Sequence, residues 1–394
     1  MRFLIAFDKF KDSLEAEQAC SIAASAILKL NPEAEIIIKP LADGGEGFCS
    51  ILTKATDGTL ISEEIYGPQG ELQKAQWGIV GVEKIPLAAR KVMSLKESGK
   101  VAVIEMAQAS GLESIVASKR DPWIASTFGT GQLIEKAAKV PVDAILLGLG
   151  GSATNDIGLG ALAALGLKFL DETGTEVSDV SPRNWGKVNS ISGEILDTLP
   201  PIYIACDVSN PLLGEKGATR VYGVQKGLLE ADVGKLEVSV EQLSGLLCDY
   251  FQEPMSSREI AGCGAAGGIG FGLKIATGAH FVPGFHLVKE WLNLEEEVEK
   301  ADFIITGEGS FDSSSLYGKG PYSVVEMAVA NHKPVSVFAG RVTPEAVSAL
   351  AKQNSTAIAC QISPKGLSLL DCLAGASNFL EQKVLETFKK KLHL

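Results

Sequence analysis

The sequence predicts a two-domain α/β protein: a parallel-sheet domain built from both ends of the chain, with a mixed α/β domain inserted between them. Three observations lead there. Apolar runs alternate with helix-patterned segments at both ends of the chain. The middle instead shows period-two alternation around a Gly-Pro-Gln-Gly turn. The length of 394 residues exceeds what one ordinary core organises.

Taken in order, "RFLIAF" predicts a first strand, and Glu15–Leu30 has the apolar spacing of a helix. "AEIIIKP" predicts a second strand, and Gly47–Ala55 opens a second helix. In the middle, "GTLISEEIYGPQGELQKAQWGIVG" predicts antiparallel hairpin strands, followed by strands in "KVAVIEM", "DAILLGLGG" and "PIYIACDVSN". Towards the C-terminus, "ADFIITG", "KPVSVFAG" and "STAIACQIS" predict strands separated by helices over Tyr322–Ala330 and Pro344–Lys352, and a long helix closes the chain. Strands separated by helices imply βαβ crossovers and a parallel sheet of flavodoxin-like or Rossmann-like kind. The predicted domains are 1–56 with 285–394, and 57–284 inserted.

Bulk properties exclude several partners. The net charge is −12, and the densest basic run is Lys389-Lys390-Lys391, so nucleic acid is not an expected partner. The seven cysteines are scattered without a C-x-x-C pair, which predicts reduced thiols in a cytoplasmic protein. The run Phe3–Phe7 is too short for a signal-peptide core, and no segment approaches the ~20 apolar residues of a membrane span. Nothing in the sequence fixes the oligomeric state. The histidines His280, His286, His332 and His393 lack metal-ligand spacing, and no G-x-S-x-G elbow supplies a hydrolase nucleophile.

In parallel α/β sheets ligands gather beyond the carboxyl ends of the strands. The first strand ends at Asp8, with Lys9, Lys11 and Ser13 following; the second leads to Asp43 and Glu46 in "LADGGEG"; a third leads to Glu308 and Asp312 in "ITGEGSFD". One acidic strand end is explained by helix capping. Three at one edge repel one another unless a cation is present, which points to a Mg²⁺-phosphate ligand. The middle domain offers "GLGGSATND", where Gly148, Gly150 and Gly151 can bare N–H groups, Ser152 and Thr154 add hydroxyls, and a helix follows Asn155 and Asp156 with its positive end towards an anion. "STFGTGQLIEKA" repeats the idea with Thr127 and Thr130. "CDVSNPLLGEKGA" ends a strand with Asp207 and Asn210, and "GVQKG" places Lys226 in a glycine turn. "GCGAAGG" contains G-x-G-x-x-G, but no strand precedes it, so close packing of the next helix explains it better than a dinucleotide.

Read together, "FDKFKDSL", "PLADGGEG", "IEMAQASGLESIVASKRDP", "GTGQLI", "LGLGGSATND", "ACDVSNPLLGEKGA", "QKG", "GCGAAGGIG", "ITGEGSFDSSSLYGK" and "KPVSVFAG" resemble, in order and over nearly the whole chain, the bacterial glycerate kinase family. Members of that family phosphorylate the 2-hydroxyl of D-glycerate with ATP. The resemblance implies two α/β domains with the active site in the cleft between them. It also implies ATP and Mg²⁺ as cofactors and glycerate as the small-molecule substrate. This chain departs from the family at Phe7, Ile157, Leu159, Ser310 and Ser314. The family usually has Arg at position 310, so Ser310 removes a cation suited to an anionic substrate.

On this reading Gly150, Gly151, Ser152, Thr154, Asn155 and Asp156 hold phosphate of ATP or of the product. Asp8, Ser13, Asn210, Lys226, Asp312 and Lys319 belong to the same substrate- and phosphate-binding pool. Asp43, Glu46, Asp207 and Glu308 are the candidates for Mg²⁺. Lys11 neutralises substrate or phosphate charge, and Asp207 by preference orients or deprotonates the attacking hydroxyl, with Asp43 also catalytic. Two alternatives stay open from the sequence: a kinase of another small hydroxy acid, and a non-catalytic ligand-binding relative.

Overall fold

The apolar runs become strands: Arg2–Phe7 (β1), Glu35–Ile38 (β2), Thr59–Tyr66 (β3), Leu72–Gly81 (β4), Lys100–Glu105 (β5), Ala144–Gly148 (β6), Lys168–Leu170 (β7), Ser190–Ser192 (β8), Ile202–Ala205 (β9), His280–Val282 (β10), Phe303–Phe311 (β11), Val335–Val342 (β12) and Ala357–Gln361 (β13). The computed structural model describes residues 1–317, 320–353 and 356–391. The chain divides into two compact units, 1–43 with 288–394, and 44–287. Among the described residues no helix is long and apolar enough to cross a membrane.

The first unit holds one sheet in the order β13-β12-β11-β1-β2, parallel throughout. β1 is central and its Phe3–Phe7 run is wholly buried, as a strand covered on both faces must be. The helix Ala16–Leu30 begins with a capping box in which the Glu15 N–H donates to Gln18 Oε1 at 3.2 Å. This helix packs on the long helix Leu369–Lys391, and both close over Phe3, Ile5 and Phe7 with Ala19, Ala23, Ile27, Leu380 and Val384. Phe388 completes an aromatic cluster, 5.6 Å from Phe3 and 5.9 Å from Phe303 between ring centroids.

The second unit holds a mixed sheet in the order β10-β9-β6-β5-β4-β3. β3 and β4 run antiparallel as the turn chemistry predicts, β5 is antiparallel to β4, and β5, β6, β9 and β10 are parallel. The units change over at Asp43 and Val288, whereas the sequence reading set the borders after Thr56 and before Phe285. The first difference has a packing cause. The helix Phe48–Ala55 lies on β3, β4 and β5, buries Phe48, Ile51 and Leu52, and donates from Cys49 Sγ to the Val103 carbonyl at 3.2 Å.

Two further elements differ from expectation. β11 does not stop at Gly307 but continues through Glu308 and Ser310, because β12 runs beside it with Glu308 opposite Ala339 and Ser310 opposite Arg341. The glycine-rich "GCGAAGG" segment is a tight turn over Ala265–Gly268 entering the helix Ile269–Thr277. Gly267 O accepts the Ile157 N–H at 3.0 Å, and a Cβ at Gly267 would stand 2.0 Å from the Thr154 carbonyl oxygen. Those glycines therefore serve backbone-to-backbone packing on the Thr154–Gly158 turn, as their sequence context suggested.

Truncating Phe388 to alanine should open a cavity in the first unit and cost about 3–5 kcal/mol. A thermal melt of Phe388→Ala should show a lowered transition; an unchanged melt would mean the long helix contributes little to the core.

Candidate active site

In the second unit, buried β6 runs into Leu149–Asp156. Gly150 N–H donates to Gly44 O at 2.8 Å, Leu112 N–H to Gly151 O at 2.7 Å, and Ala153 N–H to Ser110 O at 2.9 Å. A Cβ at Gly150 would lie 2.3 Å from Gly45 Cα, so only glycine permits this approach. Lys226 is buried, and its Nζ donates to Ser152 Oγ at 2.9 Å and to the Thr154 carbonyl at 2.6 Å. Burial lowers the Lys226 pKa to about 7, and the nearby Asp156 charge opposes that fall. Thr154 Oγ1 and Asn155 Oδ1 are buried without a hydrogen-bond partner.

Asp156 is turned inward, which corrects the expectation of a helix end presented to an anion. One carboxylate oxygen accepts the Thr127 N–H at 2.7 Å, the Thr127 hydroxyl at 2.8 Å and the Gly160 N–H at 3.3 Å; the other accepts the Gly158 N–H at 3.2 Å. The N-terminal N–H groups of the helix Leu159–Ala164 thus meet the chain's own carboxylate. Burial raises the Asp156 pKa, and the bonds from Thr127, Gly158 and Gly160 oppose this. Asn155 is also buried and donates from Nδ2 to Thr219 Oγ1 at 3.0 Å. Whatever these two residues do for a ligand passes through the turn they hold. Ile157 takes a φ of +47°, an outlier for a β-branched residue, fixed by its burial and by the bond to Gly267.

The other second-unit candidates lie on separate loops. Glu46 is half-buried, and a Cβ at Gly151 would lie 2.2 Å from its Oε1. Asp207, half-buried after β9, accepts the Phe285 N–H at 2.8 Å. Asn210 is spent on its own loop, donating to Lys216 O at 2.7 Å and accepting from Tyr222 OH at 2.8 Å. Sequence reasoning missed Glu105. It ends β5, is buried, accepts the Cys49 N–H at 3.1 Å, and is pushed up to about 7 by burial and then by the Glu46 charge. The signal that found Asp43 and Glu308, a carboxylate closing an apolar strand, was present in "KVAVIEM".

In the first unit the carboxyl edge of the sheet gathers Asp8, Asp43, Glu308 and Asp312. Asp8 accepts the Lys9 N–H at 2.7 Å. Burial, then the charges of Asp43 and Glu308, push its pKa up to about 8. Glu308 is pushed up to about 7, first by burial, with Asp312 and Asp43 adding to it against a hydrogen bond from Ser315. Glu308 Oε1 is buried without a hydrogen-bond partner. Lys11 is exposed on the Phe10–Leu14 turn, where the Ser13 hydroxyl donates to Phe10 O at 3.1 Å. Asp312 accepts from Ser310 Oγ at 3.0 Å, Ser314 Oγ at 2.6 Å and Ser314 N–H at 2.9 Å. These bonds hold its pKa down, so the two departures Ser310 and Ser314 both serve this carboxylate. Lys319 lies outside the described residues. Among the described residues no three His, Cys, Asp or Glu side chains are arranged to hold a metal ion.

Taken with similarity along the whole chain, the two sets define an enzyme of the phosphotransferase class, a kinase. The chain belongs to the glycerate kinase family, whose model matches residues 3–390. It is 37% identical over 351 residues to the glycerate 2-kinase of Escherichia coli strain K12, covering 88% of this chain and 86% of that one. It is 36% identical over 385 residues to the glycerate kinase of Halalkalibacterium halodurans, covering 96% and 95%. Among solved structures, a provisionally named glycerate kinase 2 from Salmonella typhimurium LT2 superposes with a TM-score of 0.76 at 33% identity, covering both chains fully.

Two outcomes follow from this geometry. Asp8 favours its neutral form when folded, so the stability it contributes is complete below its ordinary pKa of 3.8 and is lost as pH rises through about 8. Asp8→Asn should therefore melt above wild type at pH 8 and with it at pH 3.5, while losing activity; equal melts at both pH values would deny the carboxylate repulsion. Gly150→Ala should displace the turn from Gly45 and reduce turnover at least tenfold with the protein still folded, read by steady-state kinetics beside circular dichroism. Wild-type kinetics would show that the turn tolerates a side chain.

Proposed function

We propose that this chain transfers the γ-phosphoryl group of ATP to the 2-hydroxyl of D-glycerate, giving 2-phosphoglycerate and ADP. The observation that carries the reading is whole-chain membership of the glycerate kinase family, with relatives named glycerate kinase and glycerate 2-kinase. The clustered carboxylates and the clamped glycine turn supply the chemistry such a transfer needs, which is mainly positioning and charge neutralisation. Scattered cysteines without a disulfide among the described residues support a cytoplasmic setting.

The Gly150–Thr154 turn is assigned to phosphate, held by the bonds from Lys226 to Ser152 Oγ and the Thr154 carbonyl. Among the described residues no three acidic side chains form a cage, so the fit to Mg²⁺ is that of one or two carboxylates beside substrate phosphate. Asp8 and Glu308 are raised first by burial and then by neighbouring negative charge, and Glu308 Oε1 is a buried acceptor without a donor, which are conditions a divalent cation relieves. Of the candidates, Asp43 and Glu308, both in the first unit, would hold it. Bound Mg²⁺ would neutralise charge on the β- and γ-phosphate oxygens. Lys11, exposed on its turn, is assigned to developing phosphate charge. The 2-hydroxyl oxygen forms the new bond to phosphorus, the bond to the bridging oxygen of ADP breaks, and the hydroxyl proton passes to Asp207. The Phe285 N–H orients that carboxylate.

A coupled ADP-release assay should show turnover with D-glycerate above that with tartronate, and tartronate preferred over glycerate would move the substrate to another hydroxy acid. Asp43→Asn should lower kcat at least 100-fold, with a raised Mg²⁺ requirement and a melting temperature near wild type. Unchanged turnover with a large drop in melting temperature would make Asp43 a structural residue instead.

A further inference from the structure

We propose that Arg341, on the strand beside the acidic edge, receives the carboxylate of the hydroxy-acid substrate and so determines specificity for an acid. The inference rests on the kinase reading above and names the acid-binding residue of that site. Arg341 stands opposite Ser310 in the parallel register of β11 and β12. Residues paired in register share a face, and alternate residues along a strand return to it. Ser310 and Glu308 therefore lie on the face of Arg341. Asp8 joins them, because β1 continues the register from Ala6 opposite Thr306 and the Asp8 N–H donates to Gly307 O at 2.9 Å.

The first unit has two arginines, and they are used differently. Arg2, at the start of β1, pairs with Glu297 at 2.7 Å and with Glu35 at 3.4 Å. Arg341, at the carboxyl edge, is exposed, and among the described residues its guanidinium makes no hydrogen bond or ion pair. It is not drawn onto Asp312, which is already satisfied by Ser310 and Ser314. Nor does it bond Glu308, whose Oε1 stays without a partner. A cation on the sheet face of Asp8 and Glu308, and bonded to neither, is available to an incoming anion. A hydroxy acid brings a further negative charge to an edge already lined with carboxyl groups, so its carboxylate requires a local counter-charge. A guanidinium offers a planar pair of N–H donors that matches a carboxylate bidentately, whereas a lysine offers only a point charge.

Steady-state kinetics of wild type, R341Q and R341K, varying D-glycerate and ATP separately, test this. Because the side chain is exposed, R341Q should melt as wild type does. We expect its KM for D-glycerate to rise on the order of tenfold or more, its KM for ATP to stay within about twofold, and R341K to recover part of the loss. An unchanged KM for D-glycerate overturns the inference, and so does a rise confined to ATP, which would assign Arg341 to nucleotide phosphate. A wild type that does not turn over D-glycerate overturns the assigned activity instead. Calorimetric titration of D-glycerate into wild type and R341Q then decides the role of Arg341 separately: weaker binding by R341Q supports it, and equal or absent binding refutes it.

Discussion

The constraint on which the second unit's site depends is the burial of one carboxylate. Asp156 caps the start of the helix Leu159–Ala164 through Gly158 and Gly160, and joins it to Thr127 at the start of the helix Phe128–Ala138. A buried charge is tolerable only when its oxygens are satisfied, and four donors satisfy these. The result is a fixed corner from which Gly150–Thr154 must emerge in one path. Lys226 adds a second anchor by bonding Ser152 and the Thr154 carbonyl. The positive φ of Ile157 is the strain this corner imposes, and the Gly267 carbonyl is what holds it.

The first unit follows the opposite electrostatic logic. Its sheet is a regular parallel ladder, so the fold has no need of carboxylates at the strand ends. Asp8 and Glu308 nevertheless sit half-buried with neighbouring negative charge, and both are harder to ionise for it. Destabilising groups of this kind persist where function uses them. Asp312 differs from its neighbours because Ser310 and Ser314 donate to it, which keeps it anionic. One edge thus carries a buried carboxylate oxygen, Glu308 Oε1, without a donor, beside Asp312, whose oxygens are satisfied by Ser310 and Ser314.

How much of this was legible in the sequence depended on the range of the forces involved. "RFLIAF" and "AILLG" announced buried strands because apolar runs of that length have few other fates, and Gly-Pro-Gln-Gly announced the β3–β4 hairpin. The acidic strand ends were legible for the same local reason. Features set by distant partners were not. Glu308 lies inside β11 only because β12 extends to Val342. Asp156 looked like a ligand-facing residue because its donors begin at Thr127, far upstream. Lys226 read as a ligand-binding residue of a glycine turn, and its burial against Ser152 and the Thr154 carbonyl is a tertiary fact. The helix Phe48–Ala55 fell on the wrong side of a border because its apolar face does not say which sheet it meets. Glu105 was legible and overlooked; Arg341 gained meaning only from the register that sets it opposite Ser310.

The central claim is that this chain phosphorylates the 2-hydroxyl of D-glycerate at the expense of ATP. The most direct measurement is phosphorus NMR of the products formed from D-glycerate, ATP and Mg²⁺ by the full-length chain. The account predicts stoichiometric ADP and a phosphomonoester resonance that coincides with added 2-phosphoglycerate. A resonance coinciding with 3-phosphoglycerate, or ATP left intact beside unmodified D-glycerate, would contradict it.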